Sequence, residues 1–167
     1  MRAALCLLCL SGCALVAGCG TRGETTSSRS LVPAPAGSRP ELIKQLERDC
    51  LDLNGVLQTI ASGSPNPADA FYDAYSEGVT RMRAGVTPRY LAGLHDFLRA
   101  GHAVAGSYES VGEAVESGDR SLRAKTMQDA AVAKAHFARA AADQGIRYCG
   151  QGPDPLAAAT TGAGEPG

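Results

Sequence analysis

The sequence predicts an all-α fold, an antiparallel up-down-up-down four-helix bundle, and three observations predict it. Aromatic residues make up 5% of the chain and tryptophan is absent, while 44% is hydrophobic and alanine crowds the second half; this suits helix against helix better than a sheet sandwich. Between residues 41 and 149 the apolar residues recur at steps of three and four. Short turns separate the segments so marked, and short turns favour antiparallel neighbours.

The first helix is expected from 41 to 62. Leu42, Leu46, Cys50, Leu53, Leu57 and Ile60 form its apolar stripe, with Lys44, Glu47, Arg48, Asp52 and Gln58 off it. Gly63-Ser64-Pro65 ends it. The second opens on Asn66 as N-cap, Pro67 at the first helical position and Asp69 in the first turn. Phe71, Tyr75, Val79 and Met82 share one face, and Arg81 and Arg83 suit the C-terminal dipole before Gly85. Thr87-Pro88 repeats the cap-and-proline signal and begins the third helix, whose seam is Leu94, Phe97, Gly101, Val104, Tyr108, Val111 and Val115. Gly93, Gly101, Gly106 and Gly112 each cost about 1 kcal/mol relative to alanine inside a helix, so the sequence leaves open whether the helix is continuous or kinked from Gly101 to Ser107. Gly118-Asp119 makes the next turn. The fourth helix carries Ala124, Met127, Ala131, Ala135, Ala138, Ala142, Ile146 and Cys149 at helical steps, a small-residue face that a neighbour can approach closely.

Ahead of these helices, Met1-Arg2 supplies a minimal positive region, and Ala3 to Ala17 is an almost unbroken apolar run of secretory length. Leu15-Val16-Ala17-Gly18-Cys19 follows, with an aliphatic residue three places before the cysteine and two small residues between. These residues resemble the lipobox of bacterial lipoproteins. The resemblance implies a diacylglyceryl group in thioether linkage to Cys19, cleavage before it, and a mature chain beginning there. Residues 1–18 are then a signal peptide, and the partner of Cys19 is a membrane, held through its acyl chains. One acyl chain holds only marginally; two or three give a lasting anchor. Gly20, not Asp, follows the cysteine, so the inner-membrane retention signal of some double-membraned bacteria is missing. A soluble secreted protein cut near Gly18, or an uncleaved anchor, is the alternative.

Removal of the leader disposes of two decoys. Gly18, Gly20 and Gly23 match the dinucleotide-loop spacing but straddle the cleavage site, and the Cys6-x-x-Cys9 pair lies in the discarded run. Of six cysteines, three go with the leader (Cys6, Cys9, Cys13) and Cys19 is lipidated, leaving Cys50 and Cys149. Outside the reducing cytosol they are expected to form a disulfide that closes the bundle, with free thiols or a two-ligand metal site as the alternatives. Residues 19–40 carry few large apolar side chains and several prolines and are read as the lipidated cysteine and a disordered tether. The folded domain is expected at 41–149, and 150–167 as a disordered tail.

With 16 Lys+Arg against 17 Asp+Glu there is no basic balance for a nucleic-acid partner. The mature chain has no G-x-S-x-G, H-E-x-x-H, P-loop, EF-hand or C-x-x-C-H match, and no Glu-x-x-His pair. The strongest constellation is histidine-based. His95 and His102 lie seven apart on one face with Glu109 and Glu116, and counting from Gly118 sets His102 level with His136. His102, His136, Glu109 and Asp129 could then line one groove, with metal or haem as ligand. The competing reading is a solvated face beside Arg99 and Glu113. Glu109, Glu113 and Glu116 oppose the helix dipole; ion pairs with Arg120, Arg123 and Lys125 across the turn are one compensation, a solvated face is the commoner reading, and an acidic docking patch for a basic partner is the sharper one. Tyr72, Tyr75, Tyr90 and Tyr108 are read as core or core-edge residues. The expected function is a lipid-anchored extracytoplasmic helical module, a non-enzymatic interaction or accessory protein of the cell envelope with a protein partner and no cofactor. The alternative is a bundle that binds a metal, haem or small apolar ligand through His102 and His136.

Overall fold

Ser38-Arg39-Pro40-Glu41 is a capping box, and it sets the start of the first helix. The Ser38 backbone N–H and hydroxyl both donate to Glu41 Oε2 at 2.9 Å. Pro40 falls in the first turn, where the missing N–H has no intrahelical partner to lose. The computed structural model describes residues 37–63 and 67–153. In chain order they form α1 (Arg39–Gly63), α2 (Pro67–Ala84), the one-turn α3 (Pro88–Leu91), a 3-10 turn over Ala92–Leu94, α4 (His95–Ser117) and α5 (Arg120–Asp143). No strand occurs among the described residues, and extensive packing joins α1 to α2, α2 to α4 and α4 to α5. No helix among them is long and apolar enough to cross a membrane. The expected signal peptide, Cys19 and most of the expected tether lie outside the described residues, as do Ser64, Pro65 and Asn66. The first helix begins two residues before the expected 41, so Arg39 and Pro40 leave the tether and join α1.

The core is built from the expected stripes of the first three helices. Leu42, Leu46, Cys50, Leu53 and Leu57 of α1, Phe71, Tyr75, Val79 and Met82 of α2, and Phe97, Gly101, Val104, Tyr108 and Val111 of α4 are all buried. Rings from three helices meet at the centre: Tyr108 packs on Phe71 at 5.1 Å and Tyr75 at 5.6 Å, and Phe137 stacks on Phe97 at 5.2 Å. Tyr72 and Tyr90 are partly buried at the edge.

Three expectations are corrected. The third helix breaks at Ala92–Leu94, around Gly93, and α4 runs unbroken through Gly101 to Ser107. The reason is close approach. A Cβ on Gly101 would stand 2.6 Å from Val79 Cγ2 and 3.1 Å from Phe137 Cε2, so α2 and α5 press into the space it leaves. Packing there outweighs the weak helix propensity of glycine.

The buried face of α5 is Thr126, Ala130, Phe137 and Ala141, whereas Ala124, Ala131, Ala135 and Ala142 of the expected stripe are exposed. In a helix this rich in alanine several stripes look equally apolar, and the single large side chain, Phe137, decides which one turns inward.

The helix also ends at Asp143, so Ile146 and Cys149 are not helical. Gly145 (φ +78°) caps it in a Schellman motif: its N–H donates to Ala142 O at 2.9 Å and that of Ile146 to Ala141 O at 2.9 Å. Buried Ile146 supplies the hydrophobic contact of that motif. Beyond it, Gln144 to Pro153 forms a strap between α1 and α5. Gly150 lies against Ala138 and the Lys134 carbonyl, and buried Gly152 against Leu57 and Asn54. Packing therefore continues to Pro153, past the expected tail boundary at 150; residues from 154 lie outside the described ones.

Candidate functional site

Cys50 and Cys149 are joined in a disulfide, with Cα atoms 4.9 Å apart and a sequence separation of 99. Both are buried. Cys50 sits three turns into α1, not at a pole of the helix, because Cys149 reaches it from the strap and not from α5. Two side chains of α1 hold the strap on either side of the bridge: Glu47 Oε1 accepts from the Arg147 backbone N–H at 3.2 Å and from its Nε at 2.9 Å, and Asn54 Nδ2 donates to Tyr148 O at 2.7 Å. Tyr148, between them, is the one described non-glycine residue at positive φ, +72°. Such a conformation persists where neighbours over-determine it, as these contacts and the bridge do. From the α5 side, Lys134 Nζ donates to the carbonyls of Gly152 and Pro153.

Two carboxylates of α1 near the strap behave oppositely. The hydrogen bond from the Arg147 side chain holds Glu47 below the usual carboxylate range, and the same bond raises Arg147. Burial pushes Asp49 up, against the smaller pull of Arg81.

The histidines do not converge. His102 lines a groove of about 300 Å³ with Arg83, Leu91, His95, Leu98 and Arg99, between the end of α2, α3 and α4. His136 lines a different groove, of about 360 Å³, with Asp96, Phe97, Arg139 and Asp143 among its walls, between α4 and α5. Gly101 is the residue that faces α2 and α5, and one step along the helix turns His102 about 100° away from it. Glu109 is exposed and lines neither groove, and Asp129 pairs with Lys125 at 3.0 Å. Among the described residues no group of three or more His, Cys, Asp or Glu side chains is placed to hold a metal ion. Ion pairs across the α4–α5 turn are also absent among the described residues: Glu109, Glu113 and Glu116 are exposed, and Lys125 is taken by Asp129. The turn is instead fixed by Gly118 (φ +70°) and by Asp119, whose carboxylate accepts from the N–H groups of Ser121 and Leu122 at 2.8 and 3.0 Å.

The groove beside His95 and His102 has a feature that reading histidines alone overlooks. Leu91, His95, Leu98, Arg99 and His102 fall at steps of four, three, one and three, so apolar and cationic side chains share one face. Arg83, placed at the end of α2 by the chain turn, completes it, and among the described residues no acidic side chain lines it. Arg99 also lines the His136 groove and pairs with Asp96 Oδ1 at 2.9 Å, and Asp96 lies 3.5 Å from His95 Nδ1. The chain matches no known family model, no curated protein and no solved structure.

Proposed function

We propose that the chain is a lipid-anchored helical module of the bacterial cell envelope, outside the cytosol, that works without catalysis by engaging an envelope protein. The observation that carries this reading is the bridge between Cys50 and Cys149, because they are the two cysteines left once the leader is cut and Cys19 is acylated. A buried pair joined in this way supports an oxidising compartment, where disulfides form and persist and where the lipobox would deliver the chain. The non-enzymatic part rests on the sequence, whose mature region holds none of the common catalytic motifs. We read the four long helices as an antiparallel up-down-up-down bundle, supported by the short α2–α3 and α4–α5 turns and by the packing of α2 on α4 and α4 on α5.

Mass spectrometry of the protein isolated from its own membrane tests the reading. The expected result is an N-terminal peptide that starts at diacylglyceryl-modified Cys19, together with a disulfide-linked peptide pair containing Cys50 and Cys149. An unmodified Cys19, or two free thiols, overturns it.

A further inference from the structure

We propose that the groove lined by Arg83, Leu91, His95, Leu98, Arg99 and His102 binds the headgroup of an anionic phospholipid, so that the anchored module rests its α3 pole on the bilayer. The orientation rests on the lipid-anchored reading; the binding chemistry rests on the groove itself. Two guanidiniums and two imidazoles surround a floor of buried Leu98 and half-buried Leu91. Guanidiniums pair with phosphate oxygens in planar, multidentate fashion, and an imidazole donates a hydrogen bond in either protonation state. The leucines suit the glycerol and first methylenes below a phosphate. Arg83 has no ion-pair partner among the described residues, and Arg99 uses one nitrogen on Asp96, so guanidinium N–H groups remain for a ligand.

Position selects the phospholipid over other anions. The described chain begins at Gly37, whose carbonyl accepts a hydrogen bond from Arg89 of α3, and α3 also supplies Leu91 to the groove wall. Gly37 follows Cys19 by only 18 positions, and the covalent reach of so short a stretch, at most about 60 Å, keeps this pole of an anchored body near the headgroups. Each basic side chain near an anionic bilayer strengthens association only about fivefold. That is weak for a freely diffusing protein, but tethering raises the effective concentration of headgroups to the millimolar range or above, where weak contacts fill.

The chain has no tryptophan, so Ala92→Trp, at an exposed position beside the groove, gives a single reporter. The full lipidated protein carrying it is reconstituted into vesicles of phosphatidylcholine alone or with phosphatidylglycerol. Flotation with pure phosphatidylcholine reports the anchor; failure to float overturns the lipid-anchored reading and leaves the groove to be judged by adding phosphatidylglycerol vesicles to the soluble protein. Iodide quenching of the reporter reads the groove. Quenching is expected to fall about threefold or more with phosphatidylglycerol, and to return to the phosphatidylcholine value in high salt or in the Arg83→Ser/Arg99→Ser double variant, whose helicity is checked by circular dichroism. Equal quenching in the two vesicles overturns the proposal. So does protection in phosphatidylcholine vesicles by soluble glycerol phosphate, which would make the ligand a free phosphate, or by an acidic peptide alone, which would make the groove a protein-docking site.

Discussion

At the scale of single residues, the consequences of packing and of burial have opposite signs at neighbouring positions. Gly101 and Gly106 both lie inside α4, yet a Cβ at Gly101 would meet Val79 at 2.6 Å and one at Gly106 meets nothing within 4 Å. Gly106→Ala is therefore expected to stabilise the fold by about 0.5–1 kcal/mol through helix propensity and a less free unfolded chain. Gly101→Ala gains the same propensity but overpacks the α2–α4–α5 contact, for a net loss of about 1–2 kcal/mol. Urea midpoints moving in opposite directions would bear this out, and a gain at both sites would refute the close approach. Glu47 and Asp49 form a second contrasting pair. A folded-state pKa lowered by the Arg147 hydrogen bond means that Glu47 contributes stability above the usual carboxylate range and loses it as pH falls. Asp49, raised by burial, acts the other way: its contribution is present in acid and is lost as pH rises through the folded-state value. Hence Glu47→Gln is expected to be less stable than the parent and Asp49→Asn more stable at about pH 7, both differences closing towards about pH 3. Equilibrium denaturation at the two pH values checks the signs.

At the scale of elements, legibility followed contrast between side chains. The stripes of α1, α2 and α4 were readable because large apolar residues such as Leu46, Phe71 and Phe97 alternate with charged ones such as Glu47, Asp73 and Arg99. The buried face of α5 is hard to read because eight of the thirteen residues from Ala130 to Ala142 are alanine and offer little contrast, and the helical spacing runs on past Gly145 to Ile146 and Cys149. The chemistry of Gln144-Gly145-Ile146 was nonetheless in the sequence: a glycine followed by a large apolar residue is the ending of a Schellman-capped helix. Ser38-x-x-Glu41 was an equally local start signal hidden by the prolines around it. What no local pattern could reveal is the strap. Its contacts with Glu47, Cys50 and Asn54 cross about a hundred residues of sequence. The groove stood between these cases, since its α4 residues share a visible face whereas Arg83 joins only through the chain turn. The cap at Gly145 is testable at this scale. Gly145→Ala forces an L side chain into a left-handed conformation at about 1–2 kcal/mol, and because nothing lies within 4 Å of its Cβ the cost is purely conformational. Gly145→Asn should recover part of the loss, since asparagine tolerates that region better; a clash would give no such recovery.

At the scale of the molecule, the strap and its bridge tie the first helix to the end of the last. Glu47 and Asn54 hold one side of the strap and Lys134 the other, while α1 packs extensively on α2. The bridge joins positions 99 apart in sequence, so in the chain-entropy model its loss releases the unfolded chain by up to about 4.7 kcal/mol. Serine at both Cys50 and Cys149 is therefore expected to lower the unfolding free energy by about 2–5 kcal/mol. The denaturant slope should rise at the same time, because an unbridged chain exposes more surface when it unfolds. Loss of the bridge should also divide the cooperativity of the native state. Residues 146–153 would keep the side-chain hydrogen bonds with Glu47, Asn54 and Lys134 and the packing of Ile146 and Gly150 but lose their covalent tie to α1, whereas Phe97 to Val111 of α4 sit among the stacked rings of the core. Amide hydrogen exchange in the double variant should then show the strap opening at much lower free energy than α4, while in the bridged protein the strap amides exchange more slowly. Strap amides that remain as protected as those of α4 without the disulfide would mean that hydrogen bonding and packing alone close the molecule.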